Sequence, residues 1–333
     1  MIKLLPAFVF LFLLWSCSRE QDEACAPIPE ISEQVQVEFS SLVDAIDQIK
    51  TKQEVADFLR GNPVLRDVFF NRMDYPNDSA LVRELHSRFT NPAFDTLVME
   101  VRATFGDGVE LKKEFEHAFS NLKYYYPEFR APKIITAVSG LETDLIFSDT
   151  LIVIGLDYFL GPKAKYRPNM YQYMLTRYKP DYIVPEVLLL YGIAQPFNQG
   201  NSEDHTALAD MIAYGKSYLF TKHIVPCIPD STLFGYTASE VNGARANEDI
   251  IWEKFISDQV LYETSHLVKQ RYLGERPNTG EISERCPGRI GMWVGLRILE
   301  QYQRVNGKTL QQVMGESDAM KIFKDAHYKP LKK

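Results

Sequence analysis

The sequence predicts an α+β fold, mostly helical, around a small three- or four-stranded sheet. Two observations carry that expectation. Apolar residues recur at helical spacing over most of the chain, and two short β-branched runs, residues 133–138 and 151–155, interrupt the pattern near its middle. With 45% apolar and 12% aromatic residues, the chain can bury a sizeable core.

Taken in order, an alternating stretch at 35–39 precedes Phe39, Leu42, Val43, Ile46 and Ile49, which share one helical face. Residues 52–59, 63–70 and 79–89 read as further short helices, punctuated by the Gly61-Asn62-Pro63 and Pro76-Asn77-Asp78 turns. Leu111, Phe115, Phe119, Leu122 and Tyr126 make a stripe along 110–126 that Pro127 stops. The two strands follow, with Ser148-Asp149-Thr150 as the turn before the second. Helical patterns return over 182–194, 206–220, 246–262 and 288–305, with a short last helix near 309–314. No linker, repeat or low-complexity block divides residues 31–333, which are expected to form a single α+β domain.

Residues 1–16 stand apart as a signal peptide. Lys3 is followed by an apolar run from Leu4 to Trp15, too short to span a hydrocarbon core of ~30 Å. Leu14-Trp15-Ser16-Cys17 resembles the bacterial lipobox, with Trp15 bulkier than the usual residue. The resemblance implies that Cys17 becomes the acylated N-terminus. Residues 17–30, polar and charged at first, are expected to be a lipidated flexible tether.

Loss of Lys3 takes the formal charge from −7 to −8, which argues against nucleic acid or anionic lipid as a partner through general electrostatics. Once Cys17 is acylated, three cysteines remain. Because Cys25 lies in the tether, Cys227 and Cys286 are the expected disulfide pair. No C-x-x-C spacing exists, so structural zinc held by cysteine is excluded.

The motifs of catalysis are missing. No two of the six histidines stand four apart, so H-E-x-x-H is absent. Val138-Ser139-Gly140 lacks the first glycine of a nucleophile elbow, and Ser139 reads as a turn serine. No phosphate loop occurs, and Glu142 with Asp144 reads as a solvated pair. Neither a cofactor nor a catalytic residue is expected.

Four features are less ordinary. An apolar strand runs into Asp157 and a Gly161-Pro162 turn, where the carboxylate is suited to orient neighbouring backbone. Gly215 interrupts a helical pattern beside Tyr214 and Lys216, a sign of close packing. Glu248 and Trp252 share a helix face. Arg289 and Trp293 accompany Gly291 and Gly295, whose flat strip lets another backbone approach.

At these residues the chain resembles the gliding-motility lipoprotein GldB family of Bacteroidota. The likeness runs through Lys123-Tyr-Tyr-Tyr-Pro127, Gly155-Leu-Asp157-Tyr-Phe-Leu-Gly161, Tyr214-Gly215-Lys216, Asn247-Glu248 with Trp252, Pro287-Gly288-Arg289-Ile-Gly291 with Trp293 and Gly295, and Tyr328-Lys-Pro330. It implies a palmitate-bearing lipoprotein of the cell envelope, anchored in the inner or outer membrane and facing the periplasm. Its implied partners are envelope proteins of the gliding and type IX secretion machinery. The family is also distantly similar to gluzincin-like peptidases, which implies a degenerate zincin-like fold with its zinc ligands lost. Residues 182–194 then stand where the H-E-x-x-H helix would, and Tyr214-Gly215 where a Glu-Gly pair would.

Two classes of function follow from these expectations. The first is a non-catalytic lipoprotein working through protein contacts, with Asp157, Tyr214, Glu248, Trp252, Arg289 and Trp293 as candidate groove or interface residues. The alternative is an extracytoplasmic hydrolase of peptide or wall polymer, with an atypical site drawn from acids such as Asp157, Glu186 and Glu248.

Overall fold

The computed structural model describes residues 25, 26, 28–31 and 34–331. Cys17, the signal peptide and residues 17–24 of the tether lie outside these. Strand β1 (Phe39–Ser41) leads into α1 (Val43–Asp47), α2 (Lys52–Gly61), α3 (Asp78–Phe89), α4 (Pro92–Phe105) and α5 (Val109–Tyr125). Next come β2 (Lys133–Ala137), β3 (Leu145–Phe147) and β4 (Leu151–Gly155). The second half holds α6 (Ile183–Ile193), α7 (Ala207–Ile224), α8 (Asp230–Phe234), α9 (Ala238–Ala246), α10 (Glu248–Ser257), α11 (His266–Leu273), α12 (Ile290–Asn306), α13 (Leu310–Gly315) and α14 (Ala319–Ala326). Among the described residues, no helix is long and apolar enough to cross a membrane.

Polar residues start the N-terminal helices. The Thr51 hydroxyl and the Glu54 carboxylate form a reciprocal cap on α2, and the side chains of Asn77 and Asn91 accept backbone N–H groups at the starts of α3 and α4. Leu81, Leu85 and Phe89 on α3, with Phe94, Leu97, Val98 and Val101 on α4, are buried faces at helical spacing.

The sheet has the order β1-β2-β4-β3, parallel except for the antiparallel β3–β4 pair. Ile134 pairs with Ile152, and both are fully buried. Four strands agree with the expected small sheet, yet two of them were not legible. Phe39 belongs to β1 rather than to a helix, because Leu42 N–H bonds to Thr136 O and docks the segment along β2. At three residues each, β1 and β3 are too short to show a period. Residues 63–69 are helical as expected, widening from an α-helical start into a π-helical turn at Leu65–Phe69. Helices α4, α8, α9, α11 and α14 are additional to the sequence reading.

Helix α7 is buried almost all round and packs against α6, α12 and α13. Gly215 makes the crossing with α12 possible: a Cβ added there would stand 2.5 Å from the Gly295 carbonyl carbon, and one on Gly295 would stand 1.9 Å from Met211 O. Gly291 faces α11, where a Cβ would lie 2.8 Å from Leu273 Cδ2. The strip read from Gly291 and Gly295 therefore meets two different helices. Next to Gly215, the buried Lys216 ammonium donates to Gln199 O at 2.7 Å, Met314 O at 3.3 Å and Glu316 O at 2.5 Å, closing the C-terminal end of α13. Burial lowers its pKa to about 8.

The cysteine pairing differs from expectation. Cys25 is bonded to Cys227, and Cys286 is free and buried. The N-terminal segment does not hang loose: Val35 N–H donates to Ser120 Oγ at 2.8 Å and Val37 N–H to Glu116 Oε1 at 3.2 Å. That path lays it along α5 and delivers Cys25 to the loop after α7, which holds Cys227. Cys286 instead sits in the turn before α12, where its carbonyl accepts Thr279 N–H at 2.8 Å and burial pushes its thiol up to about 12.

Candidate functional site

A cleft opens between α6, the first half of α7, α11 and the start of α12, with a volume of about 500 Å³. Its apolar wall comes from Leu189, Leu190, Ile193, Leu233 and Met292. Its polar floor comes from segments far apart in sequence: Arg177 before α6, Glu186 on α6, Tyr214 and Tyr218 on α7, Glu275 after α11 and Arg289 before α12.

Most of the charge in the cleft is internally matched. Arg177 Nη2 donates to Glu275 Oε2 at 2.7 Å, and Arg289 Nε lies 3.7 Å from the same oxygen. Arg289 also donates to Phe234 O at 2.5 Å and lies over the Tyr236 ring at 6.0 Å. At the rim Lys269 pairs with Asp210 at 2.7 Å. Glu186 is the exception. Among the described residues it makes no hydrogen bond and no ion pair within 4 Å. Burial raises its carboxyl pKa, and the Arg177 and Arg289 guanidiniums offset only part of that rise.

A second, shallower groove of about 750 Å³ continues past Arg289 and Glu275, which line both. Tyr171 and Tyr173 stack in it with ring centroids 5.9 Å apart. The two hollows make an elongated surface with aromatic groups at one end, a charged ridge in the middle and an aliphatic wall at the other.

Of the six residues expected at a groove, the structure brings two into the cleft, Tyr214 and Arg289. Asp157 is fully buried elsewhere: its carboxylate accepts Ser139 N–H at 3.0 Å, Leu141 N–H at 2.6 Å and the Ser139 hydroxyl at 3.2 Å. It holds the loop after β2, the backbone-orienting role expected of it, and it is not a groove residue, because it is fully buried and both its oxygens accept hydrogen bonds. Trp293 is 1% exposed and belongs to the core. Glu248 accepts from Arg297 Nε at 3.0 Å and from the Tyr328 hydroxyl at 2.7 Å, while Trp252 packs edge-on against Tyr328 at 4.9 Å. This second pair fastens the C-terminal segment to α10 and α12 rather than forming a groove. Ser139, as expected, is a turn serine, its hydroxyl accepting Glu142 N–H and Thr143 N–H.

Sequence reasoning missed Arg177, Lys269, Glu275 and Tyr218, and no local pattern marks them. Glu186 did carry a signal, as the lone acid in the strongly apolar helix α6. Among the described residues, no group of three or more His, Cys, Asp or Glu is arranged to hold a metal ion.

No curated protein and no solved structure matches this chain. The family described as gliding motility protein GldB matches residues 24–330, nearly everything beyond the signal and tether, and the chain belongs to that lipoprotein family.

Proposed function

We propose that this is a non-catalytic lipoprotein of the cell envelope, held in a membrane by an acylated Cys17 and facing the periplasm. It supports gliding motility and/or type IX protein secretion through contacts with proteins of that machinery. The family match over residues 24–330 carries this reading. The cleft supports the protein-contact part of it: its arginines, its lysine and two of its acids are spent on one another, and what remains is an aliphatic wall open to an incoming chain. Glu186 on α6 and Tyr214 on α7 line the same cleft, which supports descent of the groove from a peptidase scaffold without its zinc ligands.

Ile193 and Tyr214 are 38% and 39% exposed, so Ile193→Glu with Tyr214→Ala should cost roughly 1 kcal/mol per site, and urea unfolding checks that the double variant stays folded. The doubly substituted protein is expected to accumulate normally in the envelope while motility or secretion is lost. A photo-reactive residue at 214 in the native cell should capture the partner. Full motility and secretion by the double variant would sink the groove reading.

A hydrolase is the second reading, and one observation favours it. Glu186 is an unpartnered carboxyl in a cleft with its pKa raised, as a general acid requires. Asp157 and Glu248 contribute nothing to such a site. On the favoured reading, the purified protein holds no stoichiometric zinc and cleaves neither peptide nor wall polymer, and Glu186→Gln cells still move and secrete. Hydrolysis by the wild type that disappears in Glu186→Gln would install the hydrolase instead.

A further inference from the structure

Within this acidic chain, the stretch from Tyr158 to Pro180 holds Lys163, Lys165, Arg167, Arg177 and Lys179 and not one Asp or Glu. Most of it is a closed loop. Gly161 N–H donates to Tyr178 O at 2.9 Å, and the eighteen residues from one to the other (178 − 161 + 1) contain no strand and no helix beyond a short turn at Leu175–Arg177. Loops of that length are uncommon in a compact domain unless they carry a function. This one is tied down: Glu100 on α4 accepts Lys165 N–H with both carboxylate oxygens, at 3.1 and 3.3 Å, and Pro168 is buried. Lys163, Lys165 and Arg167 are exposed and alternate with the half-buried Ala164 and Tyr166. Among the described residues, none of the three cationic groups meets a carboxylate within 4 Å. The Lys165 ammonium lies 5.3 Å from the centre of the Tyr166 ring, and Arg167 donates to Pro162 O at 3.1 Å. Exposed cations elsewhere are matched by a neighbour, as Arg60 is by Asp57 at 2.7 Å and Lys113 by Glu110 at 2.7 Å.

We propose that this loop is a membrane contact in its own right, in which Lys163, Lys165 and Arg167 bind the headgroups of anionic phospholipids and Tyr171 enters the interface. Tyr171 follows Arg167 by four residues (171 − 167) and is 74% exposed, and an exposed tyrosine suits the boundary between lipid and water. The acidity of the whole chain does not forbid the contact. At physiological salt, charges are screened beyond about 8 Å, so a headgroup at the loop responds to the three unmatched cations rather than to distant acids. Each cation close to an anionic surface strengthens binding about fivefold. Three of them make a contact that is weak alone and effective for a body already held at the bilayer, where acylation of Cys17, as proposed above, keeps the local lipid concentration high. Because Tyr171 also lines the groove that continues past Arg289, that groove opens beside the bilayer.

The test is co-sedimentation of the mature chain, made without its signal and so without acyl groups, with vesicles of phosphatidylcholine alone or mixed equally with phosphatidylglycerol. The chain is expected to bind the mixed vesicles, to release them as salt rises, and to ignore phosphatidylcholine. Lys163→Gln, Lys165→Gln and Arg167→Gln together should weaken that binding about a hundredfold and leave the urea midpoint unmoved, since all three side chains are exposed. Lys52→Gln, Arg60→Gln and Lys113→Gln remove the same charge from other exposed positions and should weaken it far less. On the acylated protein, hydroxyl-radical labelling of Tyr171 should fall on mixed vesicles and persist on phosphatidylcholine. Equal weakening by the two triple variants, or labelling of Tyr171 indifferent to phosphatidylglycerol, would overturn the contact. So would an absence of vesicle binding with motility lost in the loop variant, which would give the loop to an acidic protein instead. Co-sedimentation needs no acyl group, so it succeeds or fails independently of the reading of Cys17.

Discussion

Gly295→Ala is expected to lower the free energy of unfolding by about 3 kcal/mol or more, the upper part of the range for overpacking. The added methyl carbon would lie 1.9 Å from Met211 O and 2.6 Å from Met211 C, and both atoms are backbone of a helix buried on nearly every side. No rotamer change can relieve such a contact, so α7 and α12 must move apart, and every buried residue along their seam loses neighbours. Gly243→Ala on α9 is the control: nothing lies within 4 Å of the new methyl group, and alanine favours helix by up to ~1 kcal/mol. That variant should be neutral or slightly more stable. Urea unfolding reads both as shifts of the midpoint. An unmoved midpoint for Gly295→Ala would mean that the two helices do not cross there. Gly215→Ala in the Gly295→Ala background should cost less than it does alone, because the helices have already separated.

Glycines within helices show what a sequence can disclose. Gly215, Gly291 and Gly295 interrupt strong helical patterns, and such interruptions mark close approach wherever they occur, so the tight helix crossing was legible although the partner helix was not. The long helical patterns of α5, α7 and α12 were likewise readable. Three-residue strands were not, since a period cannot show itself in three residues. Helix α4 is a different case: Phe94, Leu97, Val98 and Val101 carry a full apolar face, and Pro92 after Asn91 is a start signal, so this helix was legible in the sequence. The disulfide eluded sequence reasoning for a tertiary reason. Which cysteines meet depends on the path of residues 34–38 along α5, and nothing in the spacing of cysteines encodes that path. The cleft was legible only in part for a related cause. Arg177 and Glu275 are 98 residues apart and meet only because α6, α7 and α11 pack around them. Asp157 had two readings, because an acid at the end of an apolar strand can face a cavity or satisfy bare backbone: the N–H groups of Ser139 and Leu141 claim it, so the backbone-orienting expectation holds and the groove one fails.

Lys222→Met should destabilise the protein by about 3 kcal/mol at neutral pH, because removing one member of a buried ion pair leaves the other charge uncompensated. Lys222 on α7 is 16% exposed and lies 3.3 Å from Asp230 and 2.9 Å from Glu300. Arg245 also holds Asp230 at 2.7 Å, and Arg297 holds Glu300 at 2.5 Å and Glu248 at 3.0 Å. These second partners keep the loss at the lower end of the range for broken buried pairs. The chain of charges continues to the Tyr328 hydroxyl, so it ties α7, α8, α9, α10 and α12 to the C-terminal segment. The pH dependence follows from the two pKa directions. Although burial opposes it, the Lys222 and Arg297 charges hold the Glu300 carboxyl below its ordinary 4.5, so its contribution is present above that value and disappears as acid titrates it in the folded state. The Lys222 ammonium is likewise held above its ordinary 10.5 by Glu300 and Asp230 against the effect of burial, and its contribution is present below that value and is lost as pH rises through the folded pKa. The stability gap between wild type and Lys222→Met should therefore form a plateau across neutral pH, narrowing below about 4.5 and above about 10.5. Urea midpoints measured from pH 4 to pH 11 test this. A gap that keeps growing toward acid would show that Glu300 is not held as a carboxylate, and that the apolar stem of Lys222 rather than its charge secures α7 against α8 and α12.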